Sequence, residues 1–326
     1  MSNNITEGGV TYGSTPKSGL PFGGGATYGN IIRGGDLTAD TVGALASALL
    51  LCEPGQTIFI PGDVHLDFTA RIYLDQLCPL RVPAGVTIAS DRGLEGSPGA
   101  LLSSDCIDMD SIFQTEGSDV RLSGFRLRGP AVGSRYHEHR QRSRDGSVGF
   151  YELPTQRGIV CRHDCVLDNL QICGFSHAGV LVEEGESTIS CCSISDNVRD
   201  GLGYGICVRS FAVIQRNIFG VNRHSVACTG EPGSGYRCVS NIFTGQSHSH
   251  TVDVHRDADS GFGGSSIDIR NNCFSHSETS HPCVRLRAIP SELCRIQYNW
   301  FQNYGSTEHA VVVNSLVRLE DNKVGT

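Results

Sequence analysis

The sequence predicts an all-β solenoid, a parallel β-helix closed at its N-terminal end by a capping α-helix. Three observations lead there. A hexapeptide pattern returns about every 26 residues, short strands separated by Gly, Asn, Asp and Ser dominate the chain after residue 56, and one amphipathic helix precedes them.

The repeat emerges when eight segments are aligned: LSGFRL (122–127), LDNLQI (167–172), ISCCSI (189–194), IQRNIF (214–219), CVSNIF (238–243), IRNNCF (269–274), IQYNWF (296–301) and LEDNKV (319–324). Their fourth position reads Phe125, Leu170 and Cys192, then Asn217, Asn241, Asn272, Asn299 and Asn322. The asparagines are separated by 24, 31, 27 and 23 residues. A strand-and-turn repeat of this length marks a solenoid. Regular leucine spacing and recurrent helices are missing, so a leucine-rich repeat does not fit. Coils stacked ~4.8 Å apart would bring equivalent residues into ladders. Stacked Asn side chains then bond one another and the turn backbone, a structural role.

Residues 38–52 (TADTVGALASALLLC) place Val42, Leu45, Leu49 and Cys52 at helical spacing, with Thr38 or Asp40 as N-cap and Pro54-Gly55 as the stop. This helix lies where the open end of a solenoid needs cover for its strand edges. Residues 1–35 read as a Gly-rich arm, either poorly ordered or an extended strand packed on the body. Residues 36–326 form the β-helix domain, interrupted by an inserted loop over 131–156. That loop concentrates Arg135, His137, His139, Arg140, Arg142 and Arg144, which suits an anionic partner or a lid, although most such insertions are plain surface loops.

Composition narrows the function classes. With 39% hydrophobic residues and a net charge of −8, charge-driven disorder is excluded and nucleic-acid binding is disfavoured. The longest mostly apolar run, 44–52, falls far short of the ~20 residues of a membrane span, so no membrane partner is expected. The N-terminus has no charged stretch leading into an apolar one and is not a signal peptide, so the chain reads as cytoplasmic or as secreted with its leader removed. The 14 cysteines include Cys161-x3-Cys165 and Cys191-Cys192 but no pair of CxxC knuckles. They are expected mostly as buried thiols, with one or more disulfides as the alternative. A monomer or a homotrimer fits a solenoid of this kind.

Strand alternation nominates a functional face. In GICVRS, SVACTG, TVDVHR and CVRLRA, the inward residues are Ile206 and Val208, Val226 and Cys228, Val252 and Val254, and Val284 and Leu286. Asp253, His255, Arg285 and Arg287 then share one outward wall on neighbouring rungs. Counting from the fourth repeat position, Tyr204, Thr229 and Asp253 are each twelve residues on, and His224 and His248 each seven on. That count puts Tyr204 two rungs below Asp253 and His224 one rung below His248. Arg223, Arg256 and His248, in the polar segments 222–236 and 247–257, complete the candidates as substrate-binding residues. A plain solvated charge ladder is the competing reading of this wall.

The capping helix, PGQTIFIPG and the coils with NxF-type turns resemble the right-handed parallel β-helices of the pectate-lyase-like superfamily, over roughly residues 36–326. The resemblance implies a polysaccharide or oligosaccharide substrate. Asp253-x-His255 is similar to the DPH motif of mannuronan C5-epimerases and related alginate lyases on that fold, with Val254 in place of the Pro. For a uronate polymer, elimination or epimerisation starts with loss of the C5 proton, which needs the neighbouring carboxylate neutralised. Arg285 or Arg287 would do that, His255 or His224 would abstract the proton, Tyr204 would donate one, and Asp253 would orient an imidazole.

Two alternatives stay open. A glycoside hydrolase would draw on Asp253, Asp257 and Glu231, without the paired aspartates and Gly-His-Gly motif of polygalacturonase-type enzymes. A non-catalytic glycan-binding or tailspike-like module would need exposed aromatics, and Trp300 sits in a turn. No cofactor is called for. His248, His250, Asp253 and His255 split between strand parities, against a transition-metal site, while Ca²⁺ on Asp and backbone oxygens stays open.

Overall fold

The computed structural model describes residues 2–131, 154–199, 201–245, 249–275, 280–313, 317, 319 and 321–325. Most of the loop expected over 131–156, with its Arg and His cluster, lies outside the described residues, as does His248.

One coil shows how the sequence makes the fold. Phe211–Gln215 (FAVIQ) buries Ala212 and Ile214 and turns the alternate residues outward. Arg216 then takes φ 58°, a left-handed corner that redirects the chain. Ile218–Phe219 follows as a second short strand and His224–Cys228 as a third. Repetition of this path gives three parallel sheets of 10, 10 and 9 strands, wound as a right-handed parallel β-helix. The first sheet runs from Leu37–Thr38 to Leu293–Gln297, the second from His65–Asp67 to Lys323–Val324, and the third from Leu80–Val82 to Val311–Val313. The core fills the tube between them.

The corner between the first and second sheets carries the expected Asn ladder. Asn241 is fully buried; its Oδ1 accepts from Asn217 N (2.9 Å) and Nδ2 (3.0 Å), and its Nδ2 donates to Asn272 Oδ1 (3.0 Å) and Ile214 O (2.9 Å). The same exchange runs through Asn299 to Asn322. Two residues on, Phe219, Phe243, Phe274 and Phe301 stack at centroid separations of 4.9, 4.5 and 4.8 Å. A second ladder joins Asn197 to Asn222 at the next corner, and the repeat alignment does not reveal it.

Helix α1, Val42–Leu51, buries Leu45, Ala48 and Leu49 against the first coil. Its N-cap is Thr41, whose hydroxyl accepts from Ala44 N (3.1 Å). Thr38 and Asp40 were the expected caps. Instead Leu37–Thr38 opens the first sheet, and pairing with Thr57–Phe59 holds it extended. The Gly-rich arm is packed on the body. A hairpin of Asn4–Glu7 and Val10–Gly13 leads into a strap along the Asn corner. Gly13 N donates to Tyr298 O (2.8 Å), Ser14 Oγ to Asn241 O (2.7 Å), Gly23 N to Arg216 O (3.0 Å) and Gly25 N to Asn169 Oδ1 (2.7 Å). Gly24 has φ +72°, and a Cβ there would lie 2.3 Å from Asn169 Oδ1, so only glycine passes. All 14 cysteines carry free thiols, most of them buried.

Replacing Asn241 by Ala strips partners from buried groups on two neighbouring coils. It is expected to cost about 3 kcal/mol or more, at 1–3 kcal/mol for each unsatisfied group. Urea denaturation checks this, and a loss below about 1 kcal/mol would mean that the ladder is dispensable.

Candidate active site

The outward wall of the third sheet is built by alternation. Val252 and Val254 are fully buried in the core, so Asp253 between them projects from the tube. Parallel pairing sets Leu181, Cys207, Ala227, Asp253 and Arg285 side by side on successive rungs. The next outward row continues past the strand ends as Arg209, Thr229, His255 and Arg287, whose backbone N–H groups bond the preceding coil.

Asp253 is the centre of this wall. Although it faces away from the tube, its neighbours cover it completely. Arg287 grips it with two bonds, Nε to Oδ1 (3.1 Å) and Nη2 to Oδ2 (2.7 Å), and His255 Nε2 lies 3.0 Å from Oδ2. Burial works to raise the carboxyl. It is outweighed by the bonds from His255 and Arg287 and by His224 nearby, which hold it well below the usual carboxylate range. A charged carboxylate accepts only, so His255 carries its proton on Nε2 and leaves Nδ1 as the basic nitrogen. The imidazole is 39% exposed and lines a groove.

His224 sits on the far side of the same carboxylate, fully buried, with Nε2 3.5 Å from Asp253 Oδ2. Its Nδ1 lies 2.5 Å from the His250 carbonyl, which can only accept. The proton is therefore on Nδ1, and Nε2 is a buried atom without a hydrogen-bond partner. Burial pushes this imidazole down to about 4, partly opposed by Asp253. Tyr204 stacks on His224 at 5.7 Å and 12°, its hydroxyl donates to Gly201 O (3.3 Å), and burial pushes it up to about 12. Arg223, beside Tyr204, opposes that rise. His177 meets the Tyr204 ring edge-on, and burial pushes it down to about 3.

Several expected placements change. Tyr204 is level with His224 rather than with Thr229, and His224 stacks on His250. The count from the Asn corner assumes turns of equal length, and the turns into the third sheet differ in length from coil to coil. Arg256 is exposed and donates to Gly261 O (3.3 Å) in its own loop, apart from the Asp253 cluster. Arg287 directs its two-pronged edge at Asp253, which commits it to the protein's own carboxylate.

The groove has a volume of about 300 Å³ and includes Leu181, Leu202, Tyr204, Cys207, Ala227 and His255 in its lining. Along one rim, Glu231 pairs with Arg209 (3.0 Å) and Glu183 with Arg162 (2.7 Å). The rim pairs and the apolar floor were not foreseen. Their signal was present in GVLV, GICV and SVAC, where the outward positions are as apolar as the inward ones, the mark of a strand covered on both faces. Among the described residues, no group of three or more His, Cys, Asp or Glu is placed to hold a metal ion.

Compared with protein-family models, curated proteins and solved structures, the chain matches none.

The buried imidazoles set a pH dependence. A histidine whose folded pKa lies below its unfolded value of about 6.5 contributes fully above that pH and loses its contribution as pH falls. Stability should therefore drop as the pH is lowered from about 6.5 to about 4, with each such histidine removing up to about 1.4 kcal/mol for every pH unit crossed. Melting temperatures of the wild type and His224→Gln across this window check it. The variant should show the shallower slope, and parallel curves would contradict a neutral buried His224.

Proposed function

We propose that the chain acts on a uronate-containing glycan by removing the C5 proton, leading to β-elimination or C5 epimerisation, in the manner of the pectate-lyase-like enzymes it resembles. The observation that carries this reading is the fully buried Asp253, fixed by Arg287, orienting the partly exposed His255 imidazole beside a groove. A base oriented by a carboxylate is the arrangement that proton abstraction requires. Arg285, one rung above Asp253, is the candidate to neutralise the substrate carboxylate, because Arg287 is committed to Asp253. Tyr204, protonated at neutral pH and in the lining of the same groove, is the candidate donor to the leaving oxygen or the opposite ring face. His224 and Arg223 support Tyr204 by stacking and charge.

Hydrolysis draws less support. A glycosidase needs one carboxyl kept protonated as acid. Glu231 is held low by Arg209, Asp253 by its three basic neighbours against burial, and Asp257 by bonds from Ser260. None of these three is poised to donate a proton at neutral pH.

His255→Ala should lower kcat by ~10²–10⁴. The assays are ultraviolet absorbance of a conjugated unsaturated product, for elimination, and deuterium incorporation at C5 in heavy water, for epimerisation. Release of reducing ends with neither signal would sink the proposal in favour of hydrolysis. The two arginines should separate. Arg287→Ala leaves Asp253 buried and underpaired and should cost about 2 kcal/mol or more, tempered by the exposure of Arg287. Arg285→Ala should lower kcat/KM by weakening the grip on the substrate carboxylate.

A further inference from the structure

We infer that the capped end of the tube is a self-association surface, on which a second copy of the chain packs face to face to give a two-fold symmetric dimer. Helix α1, Val42–Leu51, covers the first coil with Leu45, Ala48 and Leu49, and its opposite side faces away from the tube. The end of a solenoid is normally closed by a cap whose outer side is polar. None of the ten residues of this cap, VGALASALLL, is charged, and its outward side ends in Leu50, 86% exposed, and Leu51, 75% exposed. A helix that is apolar all round is ordinarily a buried one. The neighbouring helix α2, Thr69–Asp75, repeats the pattern: it buries Ile72 and turns Tyr73 and Leu74 outward, 58% and 79% exposed. The two helices lie close together, since a Cβ on Gly43 of α1 would stand 3.9 Å from Arg71 Nη1 of α2. Between α1 and the chain that leaves α2 runs an apolar groove of about 220 Å³, lined by Ala46, Leu49, Leu50, Leu77, Pro79 and Leu80.

The dimensions fit a second copy. At roughly 150 Å² each, Leu50, Leu51, Tyr73 and Leu74 present on the order of 600 Å², the upper end of what a monomer leaves bare. With the groove walls, the area approaches the ~800 Å² per partner of a standard protein interface. The surface also holds both halves of a contact. A cavity of roughly 150 Å³ takes a benzene ring, so this groove takes a leucine side chain, and exposed leucines stand on the same end of the tube. Two-fold symmetry gives each copy one leucine to insert and one groove to receive, and the contact closes as a dimer instead of continuing as a fibre. Charge points the same way. At a net charge of −8, two copies repel over most of their surface. Around these helices the cations are already paired within the chain, Arg71 with Asp75 and Arg81 with Glu116, so the meeting faces carry little net charge. A lipid surface fits less well. An interfacial face surrounds its apolar residues with Lys and Arg, whereas Asp40, Glu53, Asp67 and Asp75 bracket these two helices.

Sedimentation velocity of the full chain, from about 1 to about 100 μM, tests this. The wild type should pass from monomer to dimer across that range. Leu50→Glu and Leu74→Glu, each with its fold checked by circular dichroism, should raise the dissociation constant about tenfold or more by placing a charge in the contact. Backbone hydrogen exchange locates the contact without any substitution, and it decides the matter if a variant fails to fold. Protection over residues 42–51 and 69–81 should rise with protein concentration, and protection elsewhere should not. A wild type that stays monomeric throughout, a trimer, or a dimer protected at other residues overturns the inference. So does binding of the monomer to phosphatidylcholine vesicles that is lost in Leu50→Glu, which would assign the surface to lipid.

Discussion

Every coil of this protein is stable only because another coil lies against it. The short strands, two to five residues each, cannot persist alone, and their backbone groups are paired along the tube axis rather than within one turn of chain. The asparagine corner is where this constraint is most demanding. A corner turned by a left-handed residue leaves backbone groups pointing along the axis with no strand partner. The asparagine amide supplies both a donor and an acceptor in that direction, and each copy satisfies the one before it. The stacked phenylalanines two residues later fill the space inside the corner at spacings close to the coil rise.

The same constraint creates the site. Neighbouring rungs convert residues 20 to 32 positions apart into lateral contacts, as at Tyr204 with His224 and Asp253 with Arg285. Asp253 shows what this proximity permits. A carboxylate on the outside of a solenoid is usually solvated, but here two histidines and one arginine from its own and adjacent coils surround it and keep it charged. The Arg287 clamp fixes its orientation, and the carboxylate in turn fixes the tautomer of His255. An imidazole can thus be oriented by a wall of repeats without a dedicated loop.

Much of the fold was legible because its determinants are local and repeated. The asparagine positions, the alternation in GICVRS, SVACTG, TVDVHR and CVRLRA, and the cap formed by residues 42–51 follow from periodicity and side-chain parity. The site was legible only as far as parity reaches. Parity placed Asp253, His255, Arg285 and Arg287 on one face, and it is a property of single strands. Register between strands depends on turn length, so the count set Tyr204 level with Thr229, when its partner on the next rung is His224. The commitment of Arg287 and the detour of Arg256 to Gly261 depend on side-chain torsions, which no sequence pattern encodes. The apolar floor of the groove was visible in composition, and its continuity emerged only when Leu181, Cys207 and Ala227 fell into register.

The arm at residues 2–25 runs opposite to the direction in which the coils accumulate. Its first residues touch the end of the tube, with Gln302 Nε2 donating to Ser2 O (3.2 Å), and its last touch the beginning, with Arg92 Nη1 donating to Gly23 O (2.9 Å). During synthesis, the arm leaves the ribosome before the coils it binds and must wait for them before its own contacts exist. Assembly can proceed coil by coil from the capped end while the arm trails free, and its docking is the act that registers completion. A tube with a missing coil would offer the arm a track of the wrong length, so the spacing of the arm's contacts is matched to the number of coils that it crosses.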